Sequence, residues 1–270
     1  MPVSVNDRLR PVTSRQNAAL KGLRRAFARG EATADGFCAI ETVRLIEEAI
    51  RSGLKFKTVF FSQTAQTLAA RLLPQIGSHV ETLVLPDEVF ASSVSTENPQ
   101  GVAALVKLKE SSLPAVLAIP EPLLVVAVGI QDPGNLGTVM RSAEAFGAAA
   151  LLLAAGTVSP FNAKVIRASA GSLFRLSVIP VELGPLLPQL RERAIRLVAT
   201  SAHRGAPLPA ATLAGGVALF VGNEGAGLPR DLLSKMEETV VIPHSPRVES
   251  LNAGVAASIV LYEIARQRKG

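Results

Sequence analysis

The chain has 270 residues, 48% of them hydrophobic and 19% charged, which provides for a sizeable core, excludes intrinsic disorder and makes two domains the natural division. A single cysteine, Cys38, excludes an intramolecular disulfide and any cysteine-rich metal site, and suits a reducing cytosol. No signal-type run opens the chain, and apolar windows such as "PLLVVAVGI" fall far short of the roughly 20 residues of a membrane span, so a soluble cytoplasmic protein is expected.

The net charge of +6 is concentrated near the start. Arg8, Arg10, Arg15, Lys21, Arg24, Arg25 and Arg29 face only Asp7 within residues 1–30. A solvated helix face would account for such a run, but the imbalance, together with the basic end "ARQRKG", also suits a polyanionic partner. One Tyr and no Trp argue against a stacking platform for single strands.

In chain order, "TSRQNAALKGLRRAFARG" reads as a basic helix capped by Thr13 or Ser14. A short strand and a helix ending at Gly53 follow in "ADGFCAIETVRLIEEAIRSG". "KTVFFS" is a strand, "TAQTLAARLLPQIG" a helix, "VETLVLP" a strand, "PDEVFASSVS" a short helix and "GVAALVKLK" a β-rich run. This alternation predicts a small α/β sandwich over residues 20–110. "ESSLPAVLAIPEP", with three prolines and no periodicity, reads as a linker.

The second half opens on "LLVVAVGI", a continuous apolar strand of the kind buried on both faces of a parallel sheet. Helices are expected in "NLGTVMRSAEAFG", "AKVIRASAGSLF", "LGPLLPQLRERA" and "PRDLLSKMEE", and at the C-terminal end. Strands are expected in "AALLLAA", "RLSVIPV", "IRLVATSA", "GVALFVGNEG" and "TVVIP". The pattern is a parallel sheet with helices on both sides.

Ligands of open parallel sheets sit outside the carboxyl ends of the strands, and three such ends stand out. The first is "GIQDPGNLGTVMR", which a Pro-Gly-Asn turn with Asn135 as helix cap and Arg141 on the surface would explain. The second is "LFVGNEGAGLP", explicable as a glycine-rich turn with Glu224 near a helix dipole. The third is "VVIPHSPRVESLNAG", where Ser250 or Asn252 could cap the last helix. No G-x-G-x-x-G lies at the first turn, which disfavours a dinucleotide or nucleoside-triphosphate enzyme.

Taken in order, the three stretches resemble the motifs of the SpoU (TrmH-like) ribose methyltransferases of the SPOUT superfamily. They appear as Asn135-x-Gly137-x-x-x-Arg141, Gly222-Asn223-Glu224-Gly225-x-Gly227-Leu228, and Ile242-Pro243 followed by Glu249-Ser250-Leu251-Asn252, with "KVIRASAGSLFRL" similar to the family's central helix. The first half resembles the substrate-binding extension, like a ribosomal-protein sandwich, that is often fused to this family. "TSRQN", "VRLIEEAIRSG" and "VFASSVSTENPQGVAALV" carry that likeness. Two departures touch it: Thr42 stands where the family has Gly, and Asn98 where it has Thr.

The resemblance implies an N-terminal RNA substrate-binding domain over 1–112 and a methyltransferase domain over 120–270 whose parallel sheet holds a deep trefoil knot. It implies a homodimer and S-adenosylmethionine as methyl donor, contacted by Ser201, Ala202, Gly222, Asn223, Ile242 and Leu251. The substrate would be an RNA ribose, in ribosomal (23S) RNA ahead of transfer RNA; a non-catalytic RNA-binding relative is the other alternative. Asn135, Arg141, Glu224, Ser250 and Asn252 would form the catalytic set. No metal is expected, since His79, His203 and His244 are scattered. In the family the matching arginine is proposed to assist deprotonation of the ribose hydroxyl. A guanidinium stays protonated in nearly all protein sites, so Arg141 is better suited to bind the adjacent phosphate and stabilise the developing alkoxide. Asn135 and Asn252 would orient Arg141 or the ribose, Glu224 would hold the arginine or a backbone donor, and Ser250 would bond the hydroxyl or the arginine.

Overall fold

A computed structural model describes residues 8–12 and 16–269. The chain divides into two units, residues 1–109 with 159–167, and residues 110–158 with 168–270.

The first unit contains β1 (Arg10–Pro11), α1 (Ala18–Arg29), β2 (Phe37–Glu41), α2 (Val43–Arg51), β3 (Lys55–Ser62), α3 (Gln66–Leu72), β4 (Glu81–Leu85), α4 (Asp87–Ala91) and β5 (Val102–Lys107). The sheet order is β1-β4-β3-β5-β2, parallel among β1, β4 and β3 and antiparallel from β3 through β5 to β2. In α1, Leu20, Leu23 and Ala26 recur at helical spacing and are buried with Phe60, Leu83, Phe90 and Leu105. Thr13 and Ser14, the expected caps, lie outside the described residues. The Asn17 side chain caps α1, accepting from the Leu20 amide (3.1 Å). The helix expected over 64–77 is α3 flanked by two 3-10 turns, the second containing Pro74, which has no N–H to continue the α pattern. Cys38 is buried, and loss of hydration pushes its thiol up to about 12, so it stays protonated.

Contact with the fold sorts the N-terminal cations. Arg8 donates to the carbonyls of Leu73 (2.6 Å) and Gly77 (2.9 Å), and Arg24 to the Ser93 hydroxyl (2.9 Å). Lys21, Arg25 and Arg29 are exposed, and among the described residues they have no ion-pair or hydrogen-bond partner. Their spacing of four residues places them in one stripe along α1.

The second unit contains α5 (Leu113–Leu117), β6 (Leu123–Ala127), α6 (Pro133–Ala145), β7 (Ala150–Leu153), α7 (Ala163–Ser169, whose first five residues count with the first unit), β8 (Ser177–Pro180), α8 (Leu183–Glu192), β9 (Arg196–Ser201), β10 (Ala206–Pro207), β11 (Val217–Val221), α9 (Arg230–Leu233), β12 (Glu238–Val241) and α10 (Ala253–Lys269). Its strands run β10-β12-β9-β11-β6-β7-β8, all parallel. Every residue of β6, β7 and β11 is buried, as their unbroken apolar runs require. Two expectations change here. The segment read as a linker contains α5, whose Val116 and Leu117 join the core of this unit; Pro114 is tolerated because it falls in the first turn. The helix expected in "PRDLLSKMEE" shrinks to α9, because the Glu237 amide already donates to Leu197 O as the chain enters β12.

Gly137 is a packing residue: a Cβ there would lie 2.3 Å from the Ala168 Cβ, so its absence lets α6 approach the end of α7.

Thr42 is the strained residue of the first unit. At φ 81° and ψ 143° it occupies a region that side chains rarely adopt, which is why glycine suits this position. Its hydroxyl accepts only a long bond from the Leu45 amide (3.4 Å). On either side, the Glu41 carboxylate accepts from the Ser95 and Thr96 hydroxyls and the Val43 amide donates to Gln100 (2.9 Å), which ties this turn to the loop carrying Asn98. The strain costs of order 1–3 kcal/mol, against a few tenths for loss of so weak a cap to glycine and about 0.5–1 kcal/mol of backbone entropy. Thr42→Gly is therefore expected to raise the Tm of the first unit by about 2–4 °C in a thermal melt.

Candidate active site

All strands of the larger sheet are parallel, so their carboxyl ends share one edge. The loops after β9, β11 and β12 meet there around a cleft of about 270 Å³. Its wall includes Val221, Leu228, Leu233, Val240 and Ala256, and its rim carries Thr200, Ser201, Glu224, Glu249 and Ser250. Lys and Arg are absent from the lining, so the cleft suits a neutral or cationic small molecule better than a phosphate. Its size falls just below the range of small-molecule sites, which run roughly 300–1,000 Å³.

The glycine-rich loop is closed on itself. The Asn223 amide donates to Gly227 O (3.1 Å) and the Gly227 amide to Asn223 O (3.0 Å), while the Asn223 side-chain oxygen accepts from the amides of Gly225 (2.9 Å) and Ala226 (3.1 Å). A Cβ on Gly222 would sit 2.4 Å from the Gly227 carbonyl carbon, so this closure requires glycine there.

Beside the cleft lies a chain of polar side chains. Asn135, only 7% exposed, donates through Nδ2 to Glu224 Oε1 (2.9 Å) and accepts at Oδ1 from Asn252 Nδ2 (2.7 Å). Glu224 Oε1 also accepts from the Asp132 amide (3.3 Å). Asn252 uses its own oxygen to cap α10, accepting from the Val255 amide (3.1 Å). The loop after β11, the start of α6 and the start of α10 are thereby tied together. Ser142 on α6 and Ser258 on α10 share a further bond (2.6 Å).

The expected cofactor contacts Ser201, Ala202, Gly222, Asn223, Ile242 and Leu251 all line the cleft, as do Glu224 and Ser250. Asn135, Glu224 and Asn252 form the polar chain. Arg141 joins neither group: it is exposed on α6, and among the described residues it has no hydrogen-bond or ion-pair partner. Of the two roles considered for Glu224, the structure has it holding a backbone donor and Asn135, not the arginine. Asn135 is not the cap of α6; Asp132 is, accepting from the Asn135 amide (2.7 Å) ahead of Pro133 in the first turn. The Asp-Pro pair was the readable signal for that cap. His203, His244 and Glu249 also line the cleft; His244 and Glu249 fall in the third strand-end stretch without being among the expected contacts, and His203 lies outside all three stretches. Among the described residues no group of three or more His, Cys, Asp or Glu side chains could hold a metal ion.

Residues 122–262 match the model of the SpoU rRNA Methylase family. The chain belongs to that family. Residues 17–104 match a second model, the MRM3-like substrate binding domain. The chain is 31% identical over 256 residues to the 23S rRNA (guanosine(2553)-2'-O)-methyltransferase RlmP of Bacillus subtilis, covering 95% of this chain and 99% of that protein. It is 30% identical over 247 residues to a 23S rRNA (uridine(2479)-2'-O)-methyltransferase of Streptomyces viridochromogenes, covering 89% of this chain and 86% of that protein. Among solved structures, the SpoU methyltransferase AviRb of Streptomyces viridochromogenes in complex with the cofactor AdoMet superposes with a TM-score of 0.83 at 27% identity, over 94% of this chain and 99% of that one. The parallel α/β architecture is thus that of the SpoU enzymes.

Removal of the central amide in the polar chain leaves Glu224 and Asn252 each short of a partner. Asn135→Ala is expected to cost about 1–3 kcal/mol in denaturant unfolding. Because both substitutions break one shared bond, the Asn135→Ala/Asn252→Ala pair is expected to cost less than the sum of the singles in a double-mutant cycle.

Proposed function

We propose that this protein is an S-adenosylmethionine-dependent RNA 2'-O-ribose methyltransferase acting on ribosomal RNA (23S). The observation that carries the reading is the convergence of all three SpoU motifs on one strand-end edge, with the six expected cofactor contacts lining one cleft. The cleft fits the cofactor on its own chemistry. Its apolar wall suits an adenine and a thioether stem, and its Glu224 and Glu249 carboxylates, with no Lys or Arg in the lining, suit a cationic sulfonium. Names of relatives support the choice of RNA, since both the Bacillus and the Streptomyces proteins are named for 23S rRNA 2'-O-methylation.

When bound, S-adenosylmethionine supplies an electrophilic methyl group that a ribose 2'-oxygen can take up without a metal. The protein's own task is alignment and charge. Alignment is worth roughly 7–11 kcal/mol when the geometry is right. Asn135, Glu224 and Asn252 supply it as positioning residues, since the two side-chain amides and one oxygen of Glu224 are spent on one another and on backbone donors. Ser250, on the exposed rim, is free to bond the ribose hydroxyl. Arg141, with no partner among the described residues, binds the phosphate beside the target ribose and stabilises negative charge developing on the 2'-oxygen.

The further features follow the same reading. Residues 1–112 form the RNA substrate-binding domain, a small sandwich resembling a ribosomal protein, and 120–270 the methyltransferase domain. A trefoil knot in the latter is proposed from the match of residues 122–262 to the SpoU family. A homodimer is supported by Val255, Ile259 and Tyr262, which are 46%, 37% and 57% exposed and fall on one face of α10. Among the described residues no helix is long and apolar enough to cross a membrane, and the working place of such an enzyme would be the cytoplasm.

Mapping 2'-O-methyl groups in total RNA from a deletion strain and its parent tests the reading. Loss of one 23S site is expected; loss of a transfer-RNA site would change the substrate, and an unchanged map would overturn the activity. Arg141→Ala is expected to slow methyl transfer about 10²–10³-fold while calorimetry shows unaltered cofactor affinity. Replacing Lys21, Arg25 and Arg29 together by Ala is expected to weaken RNA binding and to flatten the dependence of log K on log salt by about 2–3, the share of three phosphate contacts.

A further inference from the structure

Thr157 lies between β7 and α7, outside every motif of the sequence, yet its hydroxyl uses both its donor and its acceptor. Oγ1 accepts from the Gly129 amide (3.1 Å) and donates to Ala127 O (3.1 Å), spanning the exit of β6. The carbonyl of Gly129 in turn accepts from Asn223 Nδ2 (2.9 Å). Gly129 is therefore held by Thr157 through its N–H and by the glycine-rich loop through its C=O. Three residues further on, Asp132 caps α6, the helix that carries Asn135 and Arg141. The side-chain oxygen of Asn223 meanwhile closes the loop 222–228 that lines the cleft.

We propose that Thr157 is a positioning residue for methyl transfer: through Gly129 and Asn223 it sets the loop 222–228, one wall of the cofactor cleft, against the start of α6. The role in methyl transfer rests on the function proposed above; the latch itself rests on the hydrogen bonds. The hydroxyl is what matters. An isosteric Val leaves the Gly129 amide and the Ala127 carbonyl without their shared partner, and the far end of Gly129 is then free to move with Asn223. Serine restores both bonds.

The test compares the full chain with Thr157→Val and Thr157→Ser. Calorimetry with S-adenosylmethionine is expected to show roughly tenfold weaker binding for the Val variant, the effect of losing one or two net hydrogen bonds, with serine within about twofold of the parent. Amide hydrogen exchange is expected to show faster exchange at residues 225–227 in the Val variant only, with no ligand added. Parental affinity and parental exchange in Thr157→Val would overturn the latch. Equal impairment of both variants would also overturn it, because the methyl group and not the hydroxyl would then be responsible. If the parent itself does not bind S-adenosylmethionine but the exchange difference persists, the latch stands and the proposed function falls.

Discussion

The site depends on Asn135, which accepts from Asn252 and donates to Glu224. An open parallel sheet brings strand ends to one edge, but it does not dictate how the loops and helices leaving that edge are spaced. Here one buried amide sets the spacing by bonding residues 89 and 117 positions away in the chain. The bond to the Glu224 carboxylate, charge-assisted, is worth about 1.5–3 kcal/mol, and the amide pair about 1 kcal/mol. Loss of the shared partner breaks both bonds at once and leaves the exposed Glu224 and Asn252 to solvent.

A division of labour follows. Side chains whose polar atoms are fully engaged, namely Asn135, Asn223 and Asn252, build the frame. Arg141 and Ser250, with no partner among the described residues, are the side chains that the proposed function assigns to the substrate. Glu224 belongs to both sets, since one oxygen anchors α6 while the residue lines the cleft. An unpaired, exposed arginine carries little solvation penalty in the free protein and is therefore ready to accept a phosphate without first breaking an internal ion pair.

The smaller unit shows the same sorting of identical residue types by context. Arg8 and Arg24 spend their guanidiniums on carbonyl and hydroxyl groups, whereas Lys21, Arg25 and Arg29 on the outer face of α1 keep their charge for solvent or a polyanion. Thr42 marks a cost accepted in the same unit. It holds a backbone conformation suited to glycine while the residues beside it anchor the loop 95–100.

Strands and long helices were legible in the sequence because they follow periodicity and unbroken apolar runs, which act over a few neighbours. That strand-end motifs share an edge follows from a parallel sheet, but the particular residues expected around the cleft came from the likeness to the SpoU motifs. The capping residue of α6 was readable too, in the Asp132-Pro133 pair. What local pattern could not show was which polar group finds which partner. Asn135 as cap and as bridge look alike until Glu224 and Asn252 arrive from distant segments, and Thr157 belongs to no motif at all. α5 looked like a linker because two apolar residues without periodicity gain their meaning only from the core they enter. The tertiary structure decided these points because hydrogen bonding and burial are settled by neighbours in space, and the sheet chooses those neighbours after the local pattern has been spent.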